Sequence, residues 1–337
     1  MSARKDSPAG AIQASSKFRP PAWLVRVAKA ADRIANSGPA RVLLAIAIPV
    51  IAILLIRGEL GSVRLADIGH AIAATPPWAL GLSVGFAAAT YLCAAFVEWN
   101  ALKIIGRPLP LGRTLLAASG ASALSIAMGF GLASGTATRL RFYAFARLNA
   151  ADAAKITALV SAALYLSGMI VLGLSGFGGP SVIGAILHWP RWGVAALSCA
   201  LLLALPAWFL ALKRWGGPDY RSLGLRGRVL VLAAALGNWL FQGAAMFALS
   251  AHNITDFPSV LAAFSLGSLI GSALGVPADL GVLEATVLGS RALGAAHQTV
   301  AALVLYRLIF QLAPLILSTS AMMLRPMAKA ARKAARP

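Results

Sequence analysis

The sequence predicts an all-α polytopic membrane protein, and three observations lead to this fold class. Hydrophobic residues make up 59% of the 337 residues, and charged residues make up only 12%. The mean hydropathy of +0.79 is far too high for a soluble domain, so a soluble enzyme is excluded. Apolar segments suited to a bilayer recur between short polar connections, at 41–56, 78–98, 111–133, 153–177, 191–212, 229–250, 257–277, 279–296 and 297–324.

Positive charge gives the expected topology. The chain has 30 Lys and Arg against 10 Asp and Glu, and no nucleic-acid motif accompanies them, so we expect no nucleic-acid partner. The basic residues gather in short stretches beside the apolar segments, which is typical of cytoplasmic loops. If all these stretches are cytoplasmic, segment 111–133 is a re-entrant hairpin from the cytoplasmic side. Segments 257–277 and 279–296 then form a second hairpin that enters from the opposite side.

Six full spans remain, and the order span, span, hairpin, span occurs twice with opposite orientation. The sequence therefore predicts an inverted-topology repeat with halves at about 41–177 and 191–325, an architecture that recurs in secondary transporters. The alternative is eight or nine plain spans, in which the loop after segment 111–133 lies outside the cell.

Both ends of the chain are basic. Within residues 1–40, the segment PPAWLVRVAKAADRIANSG has apolar side chains on one helical face and basic side chains on another. This pattern predicts an interfacial helix that lies on the anionic lipids of the inner leaflet. The tail at 326–337 is also basic, and we expect both ends in the cytoplasm.

Motifs for catalysis or metal binding are missing from the sequence. The four histidines are scattered, and Cys93 and Cys199 lie within apolar runs. There is no HExxH, GxSxG, P-loop or CxxC motif. We therefore expect no enzyme, no cofactor and no bound metal.

One apolar segment, GSALGVPADLGVLEATVLGSRAL, contains Asp279, Glu284 and Arg291. Together with Arg307, these groups would cost on the order of 10 kcal/mol in lipid if they were unpaired, so they must face protein, water or substrate. Asp279 follows the helix-breaking Pro277, and we expect it to cap the next helix. Glu284 then lies about two turns inside that helix, where it either binds substrate or pairs with an arginine, of which Arg307 is the first candidate.

Glycines mark the second hairpin. Gly267, Gly271 and Gly275 recur every four residues, a spacing that favours close packing of another helix. Pro277 and Gly281 surround the break. We expect the glycines to hold the hairpin together and not to bind substrate.

The first hairpin ends in GFGLASGTATRLRFY. Gly129, Gly131 and Gly135 permit an irregular backbone, which is stable at membrane depth only where protein or water covers it. Arg139 and Arg141 follow. Guanidinium groups suit bidentate phosphate binding, so these two either receive a lipid headgroup or only mark the cytoplasmic side.

A longer pattern resembles a known family. The stretch GRPLPLGRTLLAASGASALSIAMGFGLASGTATRLRFYAFARLNAADAAKI, followed by GVPADLGVLEA and YRLIFQLAPLIL, is similar to the transmembrane flippase region of bacterial lysylphosphatidylglycerol synthases, the multiple peptide resistance factor family. The resemblance covers most of 41–325. It implies a flippase that moves an aminoacylated phosphatidylglycerol from the inner to the outer leaflet of the bacterial inner membrane, which resists cationic antimicrobial peptides.

The resemblance has two departures. The Pro-Gly-Gly-Leu-Gly turn of the family is present here as Pro277, Ala278, Asp279, Leu280 and Gly281, so an acid is added. No synthase domain follows the basic tail, so we expect either that a separate lipid synthase supplies the substrate or that the chain is a stand-alone relative acting on another lipid.

The resemblance also implies roles for the candidate substrate-binding residues. Arg139 and Arg141 would receive the phosphate, and Glu284 with Asp279 would balance a cationic headgroup. Arg291 and Arg307 complete the candidate set. The alternative functions are a membrane scaffold or accessory subunit of a lipid or envelope synthesis enzyme and, less favoured, a membrane-embedded enzyme.

Overall fold

The computed structural model describes residues 65–129, 131–146, 148–215, 224–250, 256–290, 292–293, 296–317 and 320. The predicted interfacial helix, the first apolar segment at 41–56 and the basic tail lie outside the described residues. Within the described residues all regular structure is helical and no strand is present.

Twelve α-helices make up the described part of the chain: α1 (Leu65–Ala73), α2 (Pro77–Ile104), α3 (Leu111–Met128), α4 (Gly131–Phe142), α5 (Ala150–Gly178), α6 (Pro180–Leu187), α7 (Arg191–Leu202), α8 (Ala204–Trp215), α9 (Gly224–Leu249), α10 (Phe257–Leu274), α11 (Val282–Ser290) and α12 (Ala296–Arg307). A π-helical turn at Leu308–Leu312 continues α12. Six stretches are long and apolar enough to cross a membrane, namely α2, α3, α5, α9, α10 and His297–Leu317. The prediction of an all-α polytopic membrane protein is therefore confirmed.

The same order of elements occurs twice. In the first half α2 is followed by the pair α3–α4 and then by α5, and in the second half α9 is followed by the pair α10–α11 and then by α12. The equivalent helices α2 and α9 pack along each other. The first span of the predicted repeat lies outside the described residues, and the repeat halves with their inverted orientation stay a prediction.

The α3–α4 pair is a hairpin. The Oγ atoms of Ser125 and Ser134 lie 3.2 Å apart, although a straight helix would separate residues nine positions apart by about 13.5 Å. The chain reverses at Gly129, whose φ of 66° and ψ of −156° are accessible essentially to glycine alone. Helix α4 has 12 residues, or about 18 Å, and is too short to cross a bilayer core of about 30 Å.

The α10–α11 pair is a second hairpin, and glycines allow its arms to approach. A Cβ atom on Gly267 would lie 3.1 Å from the Leu283 Cα, and one on Gly271 would lie 2.7 Å from the Asp279 Cβ. Gly275 ends α10 in the left-handed conformation. The glycines thus hold this hairpin together, as their spacing predicts.

The breaks of the two hairpins meet. A Cβ atom on Gly129 would lie 2.7 Å from the Gly275 carbonyl oxygen and 2.8 Å from the Pro277 nitrogen. The two hairpins therefore touch backbone to backbone at the points where their helices end. Whether the hairpins enter the bilayer from opposite sides stays a prediction.

The segment 191–212 differs from its prediction as one span. The structure divides it at Leu203 into α7 and α8, because Pro206 has no N–H to donate to the Leu202 carbonyl. In addition, α6 precedes α7 at a bend of 105°, and the sequence analysis did not include this helix.

Two apolar cores are present among the described residues, and each includes residues from both halves. One core forms around the second hairpin and includes Met246, Phe264 and Leu283, and the other forms around the first hairpin and includes Leu102 and Tyr143. Residues of both cores face the space between the hairpins.

The orientation of α5 provides a test of topology. This helix has 29 residues and is about 43 Å long, so its ends should lie on opposite sides of the membrane. In a background without Cys93 and Cys199, we expect Ser181→Cys to react with an impermeant thiol reagent added to intact cells. Asn149→Cys should react only with a permeant reagent. Reaction of Asn149→Cys from outside would contradict the re-entrant arrangement of α3–α4.

Contact between the hairpin breaks provides a second test. Gly129→Ala places a methyl group against backbone atoms of the other hairpin at a positive φ, so we expect it to cost more than about 2 kcal/mol and to lower the thermal midpoint in detergent. Gly85→Ala is the matched control, because a Cβ there has no neighbour within 4 Å and alanine favours helix by up to about 1 kcal/mol. Equal midpoints for both variants would contradict the contact.

Candidate functional site

A polar cavity of about 220 Å³ lies between the two hairpins. Helices α2, α3, α4, α5, α9, α10, α11 and α12 contribute to its wall, together with Asp279 of the 3₁₀ turn Pro277–Asp279. Arg139 and Asp279 are its charged lining residues among those that the structure describes. The cavity is therefore lined by one charged side chain from the first hairpin, Arg139, and one from the turn of the second hairpin, Asp279.

Arg139 is held by a buried carboxylate. Its Nε donates to the Glu98 Oε1 at 3.1 Å and its Nη2 donates to Oε2 at 2.7 Å. Its Nη1 donates to the Gly135 carbonyl at 3.2 Å and to the Thr157 hydroxyl at 3.3 Å. The side chains are 5% and 0% exposed, so this bidentate pair fastens α4 to α2 without water.

Glu98 is a residue of the candidate site that was not predicted from the sequence. It lies in the run AAFVEWNALK of α2, at the last position of the predicted segment 78–98. The criterion that selected Glu284, an acid inside an apolar helix, also applies to Glu98. Because Glu98 neutralises Arg139, this arginine is not the free guanidinium that the headgroup hypothesis assumes.

Glu284 pairs with Arg307, which is one of the two alternatives that the sequence left open. The Nε and Nη2 atoms of Arg307 both contact the Glu284 Oε1. The Nη1 atom donates to the Ala278 carbonyl at 2.9 Å and to the Gln311 Oε1 at 2.9 Å. Gln311 donates to the same Ala278 carbonyl at 3.2 Å. Helix α12 thus fastens both the turn and α11.

The predicted position of Glu284 is wrong. Helix α11 begins at Val282, so Glu284 lies in its first turn and not two turns inside. Its Oε2 accepts from the Gly281 N–H at 2.9 Å, which is one of the two bonds of a capping box. Glu284 and Arg307 do not line the cavity. Their positions fit a role in holding the turn, and their assignment to substrate stays a prediction.

Asp279 does not cap α11 as predicted. Ala278 and Asp279 have φ values of 55° and 54°, in the left-handed region, so the chain is still turning at Asp279 and α11 starts later. The Asp279 Oδ1 accepts from the Ser272 hydroxyl at 3.0 Å. These two residues stand where the resembling family has glycines, which adopt this conformation without the cost of about 1–2 kcal/mol for other residues.

Asp279 is the charged residue of the site whose charge is not balanced by an ion pair among the described residues. Glu98 is paired with Arg139 and Glu284 is paired with Arg307. Among the described residues no ion pair includes Asp279. Counted over these five side chains, the site has one excess negative charge.

Hydrogen bonds across the cavity connect the two halves of the molecule. The Asn238 side chain donates to the Thr90 carbonyl at 3.1 Å, and Gln242 donates to the Asn238 Oδ1 at 2.8 Å. Tyr306 donates to the Gln242 Oε1 at 3.3 Å. This chain of bonds joins α2 to α9 and α12.

The π-helical turn adds another connection to α2. Pro314 has no N–H to donate to the Phe310 carbonyl, as an α-helix would require. The Tyr91 hydroxyl donates to that carbonyl at 2.8 Å. Both Tyr91 and Phe310 line the cavity.

The remaining predicted residues lie elsewhere. Arg141 is half-buried on α4 and does not line the cavity, and Arg291 lies outside the described residues. Gly131 begins α4, and a Cβ atom on Gly135 would lie 2.7 Å from the Thr157 Cγ2, so Gly135 lets α4 approach α5. Within the described ranges, no three His, Cys, Asp or Glu side chains converge as a metal site would require.

The fold and the cavity define a polytopic helical membrane protein whose two halves each contain a hairpin. No family model matches the chain. The chain is 24% identical over 241 residues to the Uncharacterized protein slr0712 of Synechocystis sp. (strain ATCC 27184 / PCC 6803 / Kazusa), which covers 67% of this chain and 72% of that protein. It is 29% identical over 140 residues to the Inner membrane protein YbhN of Escherichia coli (strain K12), which covers 37% of this chain and 41% of YbhN. The resemblance to the multiple peptide resistance factor family stays a prediction.

The Glu284–Arg307 pair can be tested by removing one charge and then both. Glu284→Gln leaves the buried Arg307 uncompensated, so we expect a loss of about 3–5 kcal/mol and a lower thermal midpoint in detergent. Adding Arg307→Met should restore most of that loss, because neither position 284 nor position 307 then holds a buried charge. The control Arg107→Met removes an arginine that is 49% exposed, and we expect a change below about 1 kcal/mol. A double variant no more stable than Glu284→Gln would contradict the pairing.

Proposed function

We propose that the protein is a lipid flippase of the bacterial inner membrane that moves a phospholipid with a cationic headgroup, such as lysylphosphatidylglycerol, from the inner to the outer leaflet. The observation that carries the proposal is the polar cavity between the hairpin breaks, which holds the unpaired Asp279 carboxylate among helices apolar enough to span a membrane. Broken helices that meet at a polar site are typical of secondary transporters.

The size of the cavity supports a headgroup as the occupant. A volume of about 220 Å³ is below the 300–1,000 Å³ of pockets for drug-sized ligands, so it suits a headgroup and not a whole lipid. In this proposal the acyl chains stay in the bilayer while the headgroup crosses between the hairpins.

The charges of the cavity support a zwitterionic or cationic headgroup. In the proposal an ammonium group of the headgroup binds Asp279, because the other charged residue of the cavity, Arg139, is already neutralised by Glu98. Glu284 and Arg307 hold the turn that presents Asp279, through the Ala278 carbonyl. The proposal assigns transport, and no catalytic step, to these residues.

The location is part of the same proposal. The relative YbhN is named an inner membrane protein, which supports the inner membrane for this chain. The cytoplasmic position of both basic ends, their contact with anionic inner-leaflet lipids and the supply of substrate by a separate synthase follow from the charge pattern and the resemblance.

Transbilayer movement in liposomes tests the function. Purified protein in liposomes should move fluorescent lysylphosphatidylglycerol at least tenfold faster than empty liposomes do, and faster than it moves phosphatidylglycerol. We expect Asp279→Asn to move lysylphosphatidylglycerol at least tenfold more slowly than the unmodified protein, because the neutral amide cannot form an ion pair with the ammonium group. The rate is measured by chemical quenching of the label in the outer leaflet.

Asp256→Asn is the matched control for this experiment. Asp256 caps α10 outside the cavity and accepts from the Ser259 N–H, and asparagine caps helices as well as aspartate does. Its rate should equal that of the unmodified protein. If neither lipid moves, the flippase proposal fails and the accessory-subunit alternative gains support. If Asp279→Asn moves lysylphosphatidylglycerol normally, the assignment of the carboxylate fails.

A further inference from the structure

The excess charge at Asp279 raises the question of what balances it when no lipid is bound. A carboxylate in a poorly hydrated site is costly unless a cation or a proton neutralises it. The guanidinium of Arg307 lies nearby, but its Nε and Nη1 donate to Glu284, Ala278 and Gln311, and its Nη2 contacts the Glu284 carboxylate. Between lipids the carboxylate must therefore either remain charged or take up a proton.

The groups that face Asp279 come from helices α5, α10, α11 and α12. Ser272 on α10 donates its hydroxyl to the carboxylate. Tyr165 on α5 and Tyr306 on α12 lie within electrostatic reach, and tyrosines are neutral at physiological pH. Glu284 on α11 and Arg307 on α12 neutralise each other. Helix α3, which also touches the turn, has Arg113 as its one titratable residue, in its first turn at the far end.

The position of Asp279 connects its charge to both hairpins. A Cβ atom on Gly271 would lie 2.8 Å from the Asp279 Oδ1, so the carboxylate touches the first arm of its own hairpin. The neighbouring Pro277 touches Gly129 of the other hairpin. Any movement of the hairpins past each other therefore carries the carboxylate through the apolar interior, and a net charge there opposes the movement.

We infer that Asp279 binds a cationic headgroup and a proton alternately, so that the protein exchanges the lipid for a proton. This inference rests on the proposed function. When the ammonium group enters, the protonated carboxyl gives its proton to water on that side and the carboxylate pairs with the ammonium. When the lipid leaves on the other side, a proton from water on that side replaces it. The site is neutral in both loaded states, and the empty charged state does not cross.

A pH gradient across the liposome membrane tests the exchange. With the outside at pH 6 and the inside at pH 7.5, we expect lysylphosphatidylglycerol to move outward at least threefold faster than without a gradient, because protons entering drive the lipid out. The reversed gradient should slow it, and an entrapped pH dye should report proton entry that depends on the lipid. A one-for-one exchange of single positive charges is electroneutral, so a potassium diffusion potential should have no effect.

Variants at the same position make the test specific. Asp279→Glu keeps a titratable carboxyl and should keep the response to the pH gradient, and Asp256→Asn should keep it fully. Asp279→Asn should show no response. Lipid movement at equal rates with and without the gradient would overturn the exchange and leave the flippase proposal intact. Absence of any lipid movement would overturn both.

Discussion

The structure depends on one constraint, which is that charges and freed backbone groups inside an apolar molecule need partners. Arg307 satisfies several at once: its guanidinium binds the Glu284 carboxylate, the Ala278 carbonyl and the Gln311 side chain. Without it the Glu284 carboxylate would be uncompensated, and the Ala278 carbonyl in the irregular turn would keep only its bond from Gln311. Arg139 likewise attaches α4 to α2 through its hydrogen bond to the Glu98 carboxylate. Each short hairpin arm is therefore attached to a full-length helix by a buried arginine.

The helices and hairpins could be predicted because apolar segments and clusters of Lys and Arg can be recognised directly in the sequence. Glycine spacing predicted the close arms of α10–α11, and the positions of Lys and Arg predicted two folded-back segments. The break at Leu203 was not predicted, although Pro206 lacks the N–H that would bond to the Leu202 carbonyl in a continuous helix. Helix α6 was missed because its apolar run of eight residues is shorter than a span.

The site could be predicted only in part, because the sequence does not show which charged residues meet in the folded structure. The sequence analysis named Arg307 as the first candidate partner of Glu284, but no pattern in the sequence connects Glu98 with Arg139, which lie 41 positions apart. The start of α11 was misplaced because two residues other than glycine adopt positive φ, which propensity argues against. The ion pairs of Arg139 and Glu284 with other protein groups could therefore not be foreseen with certainty, and their substrate roles stay predictions.

The strained turn links these points to function. A turn with glycines at positions 278 and 279 would adopt the left-handed conformation at little cost and would bring no charge to the cavity. Ala278 and Asp279 instead carry about 1–2 kcal/mol each, which the bonds from Arg307 and Gln311 to the Ala278 carbonyl offset. Strain of this kind persists where surrounding contacts fix the backbone, and it is concentrated at functional sites. This strain places the Asp279 carboxylate at the cavity. Asp279 lacks an ion-pair partner among the described residues, whereas Glu98 is paired with Arg139 and Glu284 is paired with Arg307.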